Sequence, residues 1–152
     1  MTEKRQRAKE IFYYKNNCAQ TVLVVFAEDI GLDEQMALKL TLGIAGGFKS
    51  RETCGAVAAA VMVIGAKCSG YSDDVIETKN YCTKKVHEFM EKFKQRNESA
   101  VCADLITEDM FSDDEQVHKA AYRQVKEVCP KVVDHAIDIL ESMEFNACDN
   151  KL

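Results

Sequence analysis

An all-α fold follows from three features of this 152-residue sequence. It contains a single proline and no tryptophan, and it is rich in Ala, Leu, Val, Lys and Glu, an assortment that favours helices. Apolar residues recur at steps of three and four, and no useful length of strand-like alternation occurs. The uncharged run from Gly55 to Ala66 (Gly-Ala-Val-Ala-Ala-Ala-Val-Met-Val-Ile-Gly-Ala) falls short of the roughly 20 apolar residues that cross a bilayer, so it reads as a helix buried within a protein. The expectation is one domain over residues 1–145, a bundle of about six to seven helices around a buried central helix at about 54–67, with a frayed tail over 146–152.

The first helix is predicted from about Thr2 to Lys15, with Ala8, Ile11 and Phe12 as its apolar stripe. Asn17 is placed to cap a second helix that starts at Cys18, carries Ala19, Val22, Leu23, Phe26 and Ile30 inward, and ends at Gly31. Asp33 caps a shorter third helix with Met36, Ala37 and Leu40 inward. Gly46-Gly47 permits a tight turn, and Ser50 and Thr53 are candidate N-caps for the central helix. A long fifth helix begins after Ser72–Asp74, with Val75, Lys79, Cys82, Val86, Phe89 and Phe93 on one stripe. Ser99 is placed to cap a short helix through Cys102, Leu105 and Ile106. Val117, Ala121, Val125 and Val128 mark another helix. Pro130 then acts as a boundary, leaving Cys129 as an N-cap-like residue for a last helix with Val133, Ala136, Ile137, Leu140 and Met143 inward.

Charge and composition narrow the function. The formal charge is −5, and the basic cluster Lys4-Arg5-Arg7-Lys9 reads as a solvated helix face, so nucleic acid is set aside as a partner. The start of the sequence lacks a signal-peptide apolar core and nothing downstream spans a membrane, which points to a cytoplasmic protein. Helical proteins of this apolar content often dimerise, which makes a homodimer an open expectation. No Ser-His-Asp set or carboxylate pair stands out, and His87, His118 and His135 read as solvated rather than as ligands.

Seven cysteines are many for a chain of this size in a reducing compartment, and the odd count argues against a fully paired disulfide framework. Cys18, Cys54, Cys102 and Cys129 each fall at a predicted helix start and each precede a small residue or proline. Unpaired N–H groups and the helix dipole favour a thiolate there. Metal ligation is favoured at the same places. Cys54, in the glycine-rich turn, reads as the attacking thiolate, with Lys49 and Arg51 as neighbouring charges. Cys82 reads as packing, and Cys68 and Cys148 carry no assigned role. Spacing alone gives no zinc-ribbon or thioredoxin signature, since there is no Cys-x-x-Cys pair, and the absence of Cys-x-x-Cys-His leaves no site for covalent haem.

Taken together, Asn17-Cys18-Ala19-Gln20, Gly46-Gly47, Thr53-Cys54-Gly55-Ala56, Val61-Met62-Val63-Ile64-Gly65, Cys102-Ala103-Asp104-Leu105 and Cys129 resemble a bacterial and archaeal family of redox-active proteins named for its cysteine signature, C–GCAxxG–C–C. The likeness runs from about Lys9 to Met143. It departs at Ala59, where the family usually has a second glycine. The resemblance implies a small helical protein with a four-cysteine redox or metal-binding site, and relatedness to the non-haem part of some multihaem cytochromes adds an iron–sulfur cluster as an option. Three functions are therefore carried forward. In the first, the four cysteines conduct thiol–disulfide or electron-transfer chemistry with an unidentified redox partner. In the second, the same four hold zinc or an iron–sulfur cluster, with Gly46, Gly47 and Gly55 as the backbone positions facing the cofactor. The third is a non-catalytic helical module for assembly or for an apolar ligand.

Overall fold

The computed structural model describes residues 1–15 and 17–146, and among these the fold is helical, with one isolated antiparallel bridge, Thr53 to Val101, as its sole extended pairing. The helices are α1 (Glu3–Lys15), α2 (Cys18–Val25), α3 (Glu34–Thr41), α4 (Gly55–Cys68), α5 (Val75–Asn97), α6 (Cys102–Leu105) and α7 (Glu115–Ser142). Cys148 and most of the expected tail lie outside the described residues. No described helix is long and apolar enough to cross a membrane.

The centre of the molecule is α4 packed on α2, with α5 and α7 against α4 and with α1 and α3 against α2. All eight residues of α2 are buried. That includes two polar ones, whose hydrogen bonds are satisfied internally: Gln20 Nε2 donates to the Leu38 carbonyl at 2.8 Å and Thr21 Oγ1 to the Asn17 carbonyl at 2.8 Å. Asn17 caps α2 as predicted, its side chain accepting from the Gln20 N–H. On α4, Ala56, Val57, Ala59, Ala60, Val63 and Ile64 are buried, and only Met62 and Ala66 are exposed, with Ala58, Val61, Gly65 and Lys67 half-buried. Ala59 is wholly enclosed, so its methyl group is accommodated where the family usually has glycine.

Several elements differ from expectation. α2 stops at Val25, and a 3-10 turn over Glu28–Ile30 carries the chain to Gly31. α3 turns Ala37 and Thr41 inward and leaves Met36 and Leu40 exposed. Its small residues let it sit close enough to α2 for the Gln20 bond to the Leu38 carbonyl. Val75 is exposed, because the first turns of α5 project past the core that Phe89 and Phe93 join. Neither Ser50 nor Thr53 caps α4; the N-cap is Cys54, without a side-chain cap bond. Ser99 likewise stands two positions ahead of the α6 N-cap, which is Val101.

The largest difference is at Pro130. The two helices expected on either side of it are one, α7, running unbroken from Glu115 to Ser142. A proline inside a helix strips the carbonyl four residues back of its donor. That residue is Lys126, and it lines the same open groove as Pro130, so solvent reaches the affected turn. The buried stripe continues through Ala121, Val133, Ala136, Ile137 and Leu140, and this packing holds the helix together across the proline.

Candidate functional site

Three structural devices assemble the site. First, the segment after α3 passes through a run of left-handed backbone: Gly46, Gly47, Phe48, Lys49 and Arg51 all have φ between +57° and +74°. Three of these are not glycine, a conformation that L-residues adopt at a cost. At Gly47 no side chain fits, since a Cβ there would lie 2.5 Å from the Glu52 nitrogen and 2.8 Å from the Cys102 Cβ. Second, residues 52–54 and 100–102 pair antiparallel: the Cys54 N–H donates to the Ala100 carbonyl at 2.8 Å, and the Cys102 N–H to the Glu52 carbonyl at 2.6 Å. This bridge brings Cys54 and Cys102 together across 48 positions of sequence. Third, the start of α4 lies against the start of α2, an approach made at Gly55. A Cβ on Gly55 would meet the Cys18 Sγ at 2.8 Å and the Ala45 Cα at 3.1 Å.

The result is a small cavity of about 60 Å³ lined by Cys18, Cys54, Cys102 and Cys129, with apolar walls that include Phe12, Met110, Val128 and Val132. The four cysteines singled out in the sequence thus share one enclosure. Cys18, Cys54 and Cys102 are buried and Cys129 is half-buried. Cys68 and Cys82 lie elsewhere, at the junction of α4 and α5.

Within the cavity the sulfurs are not equivalent. The thiols of Cys18 and Cys54 lie close enough for each to influence the ionisation of the other. The surroundings bias ionisation toward Cys18: the Cys54 S–H and the backbone N–H groups of Gly46, Ala19 and Ala56 together outweigh its burial and lower its pKa toward neutrality. Cys54 is held well above the ordinary thiol range, first by the Cys18 thiol beside it, then by burial and by the Cys18 charge. Sequence pointed to Cys54 as the attacking thiolate, whereas the surrounding N–H groups favour the charge on Cys18. A helix start does favour a thiolate, but α4's first turn, through Ala56, serves Cys18 as well as its own Cys54, and α2 adds Ala19.

The other two thiols are harder to ionise. Burial and the Cys18 charge push Cys102 up to about 11, with the Arg51 guanidinium working in the opposite direction. Cys129 is raised further, by burial and then by Cys18 and Cys102. It was expected at a helix start, yet it sits in the middle of α7 and has no N-terminal N–H groups to draw on. Arg51 therefore acts on Cys102 rather than on Cys54, and its Nη2 donates to the Ile106 and Thr107 carbonyls at 3.1 and 3.0 Å. Lys49 is exposed.

The glycines are packed against protein. Phe111 stands 2.8 Å from a Cβ position on Gly46, Glu52 and Cys102 close over Gly47, and Cys18 covers Gly55. Among the described residues no three His, Cys, Asp or Glu side chains are grouped closely enough to hold a metal ion. His135, expected to be solvated, is half-buried and pairs through Nδ1 with the Asn97 side chain at 2.8 Å.

A larger groove of about 460 Å³ runs beside the cavity between α1 and α7, lined in part by Lys9, Tyr13, Tyr122, Lys126 and Pro130. Phe12 belongs to both, so its ring is the partition between the groove and the sulfurs. Nothing in the sequence marks Phe12 beyond its place on an apolar stripe.

The family model described as "Putative redox-active protein (C_GCAxxG_C_C)" matches residues 16–143. No curated protein and no solved structure matches the chain at a significant level.

Proposed function

This chain belongs to the C_GCAxxG_C_C family of redox-active proteins, and from that premise we propose that Cys18 and Cys54 form a dithiol centre for thiol–disulfide exchange. One observation carries the reading: Cys18 and Cys54 meet in one small cavity, where the Cys18 sulfur lies against Gly55 and the surroundings favour charge on Cys18 and a proton on Cys54. Such a pair holds both the nucleophile and the group that completes the exchange.

The Cys18 thiolate attacks one sulfur of a substrate disulfide, forming a mixed disulfide and expelling the first substrate thiolate. The Cys54 sulfur, passing its proton to a departing thiolate, then attacks the Cys18 sulfur and expels the second. Two protein thiols are oxidised and one substrate disulfide is reduced to two thiols, so electrons and protons balance. The reverse sequence oxidises a dithiol partner. Cys102 and Cys129 complete the apolar enclosure and keep water from the pair. This chemistry suits a reducing cytoplasm, where the resting pair stays as thiols.

The test is equilibration of the full chain in glutathione redox buffers, followed by alkylation of free thiols, tryptic digestion and mass spectrometry. A peptide containing Cys18 linked to one containing Cys54 is the expected product. Recovery of both as free thiols across the buffer series overturns the proposal. Metal analysis of anaerobically purified protein forms the second arm. Stoichiometric zinc or iron that is lost in a Cys102→Ser variant would mean that Cys102 and Cys129 close on the pair as ligands, and the exchange reading would fall.

A further inference from the structure

Among the described residues the cavity leaves two thiols unused, and they are together. Cys68 is the last residue of α4 and is fully buried, while Cys82 lies on the facing side of α5 and is half-buried. Cys82 packs against the core cluster that contains Cys68, close enough for the two thiols to influence each other. From Cys54 at the start of α4 to Cys68 at its end is about 20 Å along the helix, so this pair is separate from the first. The intervening loop is pinned in place: the rings of Tyr71 and Tyr81 stack with centroids 4.0 Å apart and planes 7° from parallel. One turn beyond Cys82, the Lys85 ammonium stands 5.8 Å from the Tyr81 ring centroid and near enough to Cys68 to favour its thiolate.

We propose that Cys68 and Cys82 form a second dithiol, which a low-molecular-weight disulfide oxidises to an intramolecular disulfide clasping the end of α4 to α5. The order of events follows from exposure. Cys82, which solvent reaches, loses its proton and attacks one sulfur of the small disulfide. A bond forms between Cys82 and that sulfur, the small molecule's S–S bond breaks, and its first half leaves as a thiolate. Cys68 then attacks the Cys82 sulfur, its proton passing to the second half as that departs. Two protein thiols lose two electrons and two protons, and the small disulfide gains them as two thiols. Burial holds the Cys68 thiol up at about 12, which keeps it from attacking first and leaves it as the resolving group. Closure asks that two neighbouring sulfurs, held beside each other by the packing of α5 on the end of α4 and by the Tyr71–Tyr81 stack, come to bonding distance.

The experiment uses the full chain carrying Cys148→Ser, so that the tail thiol does not enter the count, equilibrated with oxidised glutathione. Trypsin cuts after Lys67, Lys79 and Lys84, placing Cys68 and Cys82 in different peptides. The expected product is those two peptides joined, lighter by two hydrogens than their sum. In a Cys68→Ser variant the reaction should stop with glutathione on Cys82, and in a Cys82→Ser variant Cys68 should stay unmodified. Cys68 and Cys82 recovered as free thiols, or Cys82 left as a glutathione adduct while Cys68 is intact, overturns the inference. The same digest scores a Cys18–Cys54 link independently, so either dithiol can fail without the other.

Discussion

At the scale of single residues, the site depends on how closely Gly55 lets the start of α4 approach Cys18. A Gly55→Ala substitution puts a methyl group 2.8 Å from the Cys18 Sγ and 3.1 Å from the Ala45 Cα. The sulfur has room to swing, but the Ala45 backbone has little. Overpacking of this kind typically costs about 1–3 kcal/mol. The more specific consequence is loss of the Cys18–Cys54 contact, which is the largest influence lowering the Cys18 pKa. We expect the variant to fold with a lower urea midpoint and with Cys18 alkylated at neutral pH no faster than an ordinary thiol. Unchanged Cys18 reactivity would mean that the approach at Gly55 is not what pairs the two sulfurs.

At the scale of elements, α1 acts as the cover of the cavity, and Phe12 is the part of it that matters. Truncating a buried phenylalanine to alanine costs about 3–5 kcal/mol, so Phe12→Ala should lower stability while joining the groove to the sulfur cavity. The expected signature is a several-fold faster alkylation of Cys18 by iodoacetamide under conditions where the variant is still folded, with no change in the pH midpoint. An unaltered rate would show that reagents reach Cys18 by another route. The elements also show what a sequence reader sees and misses. Asn17 and Asp33 were legible as caps because a side-chain acceptor ahead of an apolar stripe has few other uses. The seam at Pro130 was misread because local propensity disfavours proline inside a helix, while the stripe from Ala121 to Leu140 packs as one surface. The choice between Cys18 and Cys54 was hidden for a different reason. It depends on N–H groups that one helix lends to a cysteine of another, and no spacing within either helix encodes that.

At the scale of the whole molecule, one ionic knot holds the outer helices in register over the site. Arg5 of α1 donates to Asp134 at 2.7 Å and to Asp138 at 3.0 Å on α7, and Asp138 also accepts from Arg96 of α5 at 2.6 Å. The bond to Arg5 is the main cause holding the Asp134 carboxyl below its usual range. A folded pKa below the unfolded value of about 3.9 means that the knot stabilises fully above that pH and is lost as pH falls through the folded value. Acid unfolding of the intact chain should therefore begin below about pH 4, and an Asp134→Asn variant, already without the charge, should show a flatter loss of stability over the same range. A parallel acid curve for the two proteins would remove the knot from the account.

Fold and chemistry meet in which of the two sulfurs gives up its proton, and site-resolved alkylation of Cys18 against pH measures it most directly. The account predicts that Cys18 reacts first among the cavity thiols, with a midpoint near pH 7 that moves up into the ordinary thiol range in a Cys54→Ala variant. A midpoint already in the ordinary range in the unaltered chain, or one that stays near neutrality when Cys54 is gone, would contradict it.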